Sequence, residues 1–322
     1  MTALPSRTLR FHDYGEPLDV LRLEETEIAD PGEGRIRVRV AATGLNPADW
    51  EVCRGFQAGT LPRGVGFDVA GTVDALGPGV DGVAIGDLVF GTADVVGQPS
   101  GGAADVAILR SWFPVPDGLD PAEAATLPMV VTTAVWTLDL MGIEPGTSLL
   151  VNGAGGMVGY AAVQVALRRG ARVLATAGPA LAADLEGFGA SVTGYGPGIV
   201  ARVRELAGGG DVDLVLDTSR AHPGRAPGGL ADLIELAGGR AGSVVTVSNH
   251  AEARELGARV NLDELRASGV FPSSEILREW ADLAARGEFR LPIAQRFPLD
   301  RWRDAVELSA SGAPHGKVVL VP

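Results

Sequence analysis

The segment VNGAGGMVGYAAVQVALRRGARVLAT, residues 151–176, constrains this chain more than any other. A short unbroken apolar run ends at Val151 and a glycine cluster follows it. Tyr160 to Ala166 then places Ala, Val and Gln at helical spacing, and after a basic glycine turn ARVLAT has the character of a second buried strand. Strand, glycine turn, helix and strand in that order form the unit in which a dinucleotide pyrophosphate sits on a helix N-terminus. Gly153, Gly156 and Gly159 fall where a tight turn, close approach to a pyrophosphate and close helix–strand packing need them, with Ala154 able to take the first role. Gly155, Met157 and Val158 complete the expected cradle. With 45 Gly in 322 residues a cluster alone carries little, so the flanking strand, helix and second strand supply the weight.

Around this unit the pattern of elements changes twice. The N-terminal third contains short β-type runs, RIRVRVAATG, FDVAGTVDALG, DLVFGTADV and AADVAIL, separated by Gly, Pro and Asp, which predicts a compact β-rich domain. A helix is expected to start at Asp120 as N-cap, with Pro121 at its first position and Glu123 three residues after the cap. Four candidate parallel strands follow, SLLVNGAGG, ARVLATAGP, VDLVLDTS and GSVVTVSN, alternating with helical segments, and this predicts a doubly wound α/β sheet. Two amphipathic segments and the strand GKVVLVP close the chain, the strand being expected to return to the first domain.

Composition narrows the function classes. A net charge of −13 disfavours nucleic acid and anionic lipid as partners. No apolar run is expected to reach the ~18 residues of a membrane span, and the N-terminal stretch lacks the apolar region of a secretory signal. The single Cys53 excludes an intrachain disulfide, so a cytoplasmic setting is expected. His12, His222, His250 and His315 lack metal-ligand spacing.

GLNPADW (44–50), GFDVAGTVDALGPGVDGVAIGDLVFG (66–91), NGAGGMVG (152–159) and HGKVVLVP (315–322) together resemble the medium-chain dehydrogenase/reductase superfamily, in its zinc-independent quinone oxidoreductase branch. The resemblance covers essentially the whole chain. It implies a Rossmann doubly wound parallel sheet inserted in a GroES-like β-rich catalytic domain, with a small-molecule site in the cleft between them. Expected limits are 1–125 for the catalytic domain, 126–261 for the nucleotide-binding domain and 262–322 for the return. Zinc-dependent members hold their metal with a Cys and a His at the places that Asn46 and Phe67 resemble, and neither can replace that ligand pair. By resemblance Asn46 and Thr132 approach the nicotinamide as catalytic-site residues, and Trp50, with Phe56 nearby, stands where relatives place tyrosines lining the pocket. Asp49 matches an acidic position with a structural role. Val247, Ser248 and Asn249, and Val270 with Phe271, are expected to line the nicotinamide side. A homodimer is expected by analogy, with an apolar edge near SGVF as the sequence hint.

Cofactor choice turns on the end of the second strand. Thr176, Ala177 and Gly178 stand where an NAD-specific site carries an acid for the ribose hydroxyls, and the first acid is Asp184, inside the next helix. The family pattern adds Tyr195 and a basic residue near the C-terminus, Lys317 or His315, so NADPH is expected over NADH. Without a Lewis acid, the expected reaction is hydride transfer to a quinone or an α,β-unsaturated carbonyl. An enoyl reductase acting on a polyketide-like or acyl-thioester intermediate uses the same chemistry and stays open. So does a non-catalytic cofactor-binding protein, crystallin-like or regulatory.

Overall fold

The computed structural model describes residues 3–96, 98, 100–219, 229–269, 273 and 275–322. The chain divides into two compact units, one of Met1–Met129 with Ser274–Pro322 and one of Val130–Ser273.

The first unit is β-rich. Leu4–Phe11 lies between Leu21–Ile28 and the short Arg63–Gly64, antiparallel to both. A second sheet has six strands in the order Ile293–Pro298, Lys317–Val321, Ile36–Gly44, Asp68–Leu76, Leu88–Ala93, Val106–Pro114. Ile36–Gly44 pairs with both Asp68–Leu76 and Val106–Pro114, so the sheet partly closes on itself. The C-terminal strand joins it through Val319 opposite Gly44 and Leu320 opposite Thr43. Leu9, Phe11, Trp50, Val65, Trp302 and Leu320 belong to one core, and Ile36, Val38, Val69, Val73 and Leu109 to another.

The second unit holds a parallel sheet in the order Ser191–Thr193, Arg172–Thr176, Ser148–Asn152, Leu214–Asp217, Val244–Thr246, Arg259–Val260. Its central strands are apolar throughout because helices cover both faces. The order reverses beside Ser148–Asn152, whose sequence neighbour Arg172–Thr176 lies on one side and the later Leu214–Asp217 on the other. This is the topological switch point at which doubly wound sheets bind ligands.

One expectation fails on length. Pro121–Met141 is a 21-residue helical stretch with mean hydropathy 1.4, long and apolar enough to cross a membrane by composition. Its most apolar window is 67% buried inside the protein, which is the pattern of a core helix.

Candidate functional site

The glycine turn follows strand Ser148–Asn152 and leads into helix Met157–Arg168. Gly153 has φ +80°, and a Cβ there would lie 2.7 Å from the backbone nitrogen of Ser219. At Gly159 a Cβ would come within 2.5 Å of Thr218 Oγ1 and 2.8 Å of the Ala154 Cα. Both glycines are therefore demanded by the protein's own packing. Gly155 and Gly156 are different: an added Cβ meets nothing nearer than 4.0 Å and 3.4 Å respectively. The space in front of them opens onto a helix whose N-cap, Gly156, has no side chain to satisfy the first N–H groups. Ala154 is buried under the turn, and Met157 and Val158 are half-buried on the first turn of the helix. These features fit a pyrophosphate, which needs close backbone approach, unpaired donors and the positive end of a helix.

A hydrogen-bonded hub fixes this turn. Asp217, at the end of its strand, is fully buried and accepts from Asn152 Nδ2 (2.9 Å), Ser219 Oγ (2.6 Å), Thr246 Oγ1 (2.8 Å) and Asn249 Nδ2 (2.7 Å). Asn152 Oδ1 accepts from Thr176 Oγ1 at 2.7 Å, and Thr176 Oγ1 accepts in turn from Gly153 N at 2.9 Å. Thr176, expected against the cofactor, thus spends its hydroxyl on holding the turn. Ser248 Oγ donates to the Ser219 carbonyl, and Val247 N donates to the Asp217 carbonyl at 3.0 Å. Three strand ends meet at this carboxylate, and Thr176 ties a fourth to it through Asn152. Sequence reasoning missed Asp217 and Asn152, although a polar residue ending an otherwise apolar strand was a usable signal.

At the end of the second strand, Ala177 is buried, and Gly178 caps helix Pro179–Phe188. A Cβ on Gly178 would face Tyr195 Oη at 3.6 Å, an ordinary contact, and Tyr195 is 46% exposed. Asp184 Oδ2 accepts from the buried Tyr160 hydroxyl at 3.0 Å. Thr132 is half-buried on helix Leu127–Met141, and its side-chain hydroxyl makes no hydrogen bond among the described residues. Val270, Phe271 and His222 lie outside the described residues.

The first unit contributes a buried polar cluster. Asn46 is the N-cap of helix Pro47–Cys53 and is 2% exposed. Its Nδ2 donates to Gly44 O at 3.1 Å and to Asp68 Oδ2 at 2.9 Å, while its Oδ1 accepts from Lys317 Nζ at 2.6 Å. Both amide hydrogens are committed, so the side chain has no donor left for a substrate carbonyl. Asp49 accepts from the backbone N–H groups of Asn46 (2.7 Å), Gly66 (2.8 Å) and Phe67 (3.2 Å). Burial pushes the Asp49 carboxyl up to about 6, against the pull of those donors and of Lys317, and the Asp68 carboxyl up to about 7, against Lys317, Asn46 Nδ2 and the Met129 N–H. Burial also lowers the Lys317 ammonium, opposed by Asp68 and Asp49.

Two expectations are corrected here. Lys317 is not a free basic residue near a 2′-phosphate: it is 4% exposed, bonded to Asn46, and 3.9 Å from Asp68 Oδ2. Of the two basic candidates only His315 is exposed. Trp50 is not a pocket wall either, since it is 1% exposed in the core and donates through Nε1 to Ser309 Oγ at 3.2 Å. Phe56, by contrast, is exposed. Among the described residues no group of three His, Cys, Asp or Glu side chains could hold a metal ion, and the positive charge beside Asp68 is the chain's own lysine.

Residues 32–117 match the family model described as alcohol dehydrogenase GroES-like domain, and residues 191–320 match that described as zinc-binding dehydrogenase. The chain is 30% identical over 335 residues to the quinone oxidoreductase of Salmonella typhimurium, covering 98% of this chain and 99% of that one. It is 34% identical over 330 residues to erythronolide synthase EryA2 of Saccharopolyspora erythraea, a match that takes in 98% of this chain and spans 9% of the synthase. The quinone oxidoreductase of Coxiella burnetii has the same fold, with a TM-score of 0.80 at 24% identity over 99% of this chain and all of that one.

Proposed function

The chain belongs to the medium-chain dehydrogenase/reductase superfamily, in its zinc-independent branch with the quinone oxidoreductases, and from that premise we propose that this nicotinamide-dependent oxidoreductase uses NADPH to reduce a quinone or an α,β-unsaturated carbonyl. The observation that carries the reading is the turn from Gly153 to Gly156, open in front of an uncapped helix at the switch point of the sheet. In it the N–H groups of the first helical turn bind the pyrophosphate. Gly178 and the half-exposed Tyr195 leave room for a 2′-phosphate, because Asp184, the first acid after the strand, is turned to Tyr160. When bound, the nicotinamide supplies the hydride. The free hydroxyl of Thr132 orients the ring, and Asn46 acts indirectly, by fixing the N-terminus of helix Pro47–Cys53 through Lys317 and Asp68.

A second reading is favoured by one observation: identity to a segment of a polyketide synthase, at 34%, exceeds that to the bacterial quinone oxidoreductase, at 30%. On that reading the acceptor is an enoyl thioester. Following NADPH oxidation spectrophotometrically across quinones, enals and enoyl thioesters separates the two by the ranking of kcat/KM. No oxidation with any acceptor, despite NADPH binding, would leave the non-catalytic reading standing and reject both.

A further inference from the structure

The buried cations among the described residues are Arg37, Arg63 and Lys317. Arg37 lies against Asp30 and Asp74, and Lys317 against Asp68. Arg63 faces no carboxylate. Its Nη1 donates to the Gln57 carbonyl at 2.6 Å, but Nε and Nη2 are buried and have no acceptor among the described residues. Those two atoms form the edge of the guanidinium that carries two parallel N–H bonds. Elsewhere in this chain the same edge takes a carboxylate: Arg54 binds Glu16 through Nε (3.0 Å) and Nη2 (2.8 Å), and Arg254 binds Asp263 at 2.7 and 2.8 Å. Arg259 on Glu264 and Arg7 on Asp105 repeat the arrangement.

We propose that Arg63 anchors a carboxylate-binding site in the first unit, its Nε–Nη2 edge taking both oxygens of a small organic acid. A guanidinium does not shed its proton, so burial cannot be relieved by neutralisation as it is for a lysine. An unpaired buried charge is costly, and among the described residues only the Gln57 carbonyl, on Nη1, offsets it. The edge is also held in place. Gln57, which fixes Nη1, has the left-handed φ of +55°, uncommon for a residue with a side chain, and this turns its carbonyl onto the guanidinium. The neighbouring strap Gln57–Thr60 is exposed, and Gly59 is tied at both its N–H and its carbonyl to the Tyr14 hydroxyl, at 2.7 and 2.9 Å. A Cβ on Gly59 would stand 3.7 Å from Arg63 Nη1, so the exposed residues 58–60 are the segment that a ligand would displace, while the Gln57 carbonyl keeps its hold on Nη1. Planar carboxylates match the spacing of the edge better than a spherical anion does.

The acid is either one end of the reductase's acceptor or a separate ligand, and the assignment itself does not depend on the hydride-transfer reading. Calorimetric titration of the whole protein with succinate and benzoate tests it, with succinamide and benzamide as uncharged controls. One saturable site is expected for the acids and none for the amides. Affinity should fall at least about tenfold in both Arg63→Met and Arg63→Lys, the second keeping the charge and losing the paired donors. Equal affinity in the two variants and the unmodified protein, or no saturable binding of either acid, overturns the proposal; in the latter case buried water satisfies the guanidinium. Kinetics with enones bearing or lacking a carboxylate then identify the source. A rise in KM for the acidic acceptor alone in Arg63→Lys marks it as the acceptor's end, and unchanged KM with lost succinate binding marks a separate ligand.

Discussion

Lys317 is the only lysine in the chain and the charge on which the buried cluster of the first unit depends. A carboxyl raised in the folded state lends stability that is full below its ordinary value and is lost as pH rises through the raised value. For Asp49 and Asp68 that window runs from about pH 4 to about pH 7. Asp68→Asn removes one of the two titrations, so the decline in unfolding free energy across this window should become shallower; urea unfolding from pH 4 to pH 8 measures it, and an unchanged slope rejects the assignment. Asn46→Ala deprives Lys317, Asp68 and the Gly44 carbonyl of partners at once. A loss of about 1–3 kcal/mol is expected for groups left buried and unsatisfied, accompanied by lower kcat/KM with NADPH affinity retained, since the glycine turn lies in the other unit. If kcat/KM is unaffected on every acceptor, the cluster is structural alone.

At the scale of the element, the strand–turn–helix separates two kinds of glycine. Gly159→Ala drives a methyl into Thr218 and Ala154, and the helix cannot keep its seat on the strand. The melting temperature should drop. Gly156→Ala meets only the Gly153 carbonyl at 3.4 Å, so the fold should hold, while NADPH affinity falls about tenfold, or 1.4 kcal/mol, because the methyl stands where the pyrophosphate approaches. Paired melting and binding curves check both, and a Gly156→Ala protein binding NADPH normally would remove the pyrophosphate from this turn. Gly178→Asp has room beside Tyr195. Its carboxylate should repel a 2′-phosphate and accept from ribose hydroxyls, shifting preference from NADPH toward NADH; titration with both cofactors decides it.

At the scale of the whole molecule, activity without a metal is an expectation that chelation tests. The acids of the first unit's cluster sit beside an ammonium built into the chain, and no third ligand of metal-binding type joins them among the described residues. Reductase activity should therefore survive dialysis against a chelator, with no stoichiometric zinc in the purified protein. Activity that vanishes with chelator and returns with Zn²⁺ would count decisively against this. We propose a homodimer, as the resemblance implies, and light scattering at micromolar concentration should give twice the 33.1 kDa of one chain.

The sequence by itself determined what depends on local order. Apolar runs bounded by Gly and Pro specified the strands, and the spacing from Gly153 to Gly159 specified the turn, because the order of residue types is legible locally even where, as at Gly153 and Gly159, the contact that demands the glycine comes from Ser219 and Thr218. What the side chains near the site do was decided elsewhere. Lys317 looked like a basic residue awaiting a phosphate, Trp50 like a pocket wall, and Asn46 like a residue reaching the nicotinamide. Strand Lys317–Val321 returns beside Ile36–Gly44, which puts Nζ against an asparagine 271 positions away and uses up the donors of Asn46. Trp50 was claimed by helix Trp302–Ala310, and Asp217 became a hub only when four parallel strands ended side by side. Each of these outcomes depends on which distant group fills a buried hydrogen-bonding position; the local pattern can mark a polar residue at a strand end, as at Asp217, but does not encode its partner.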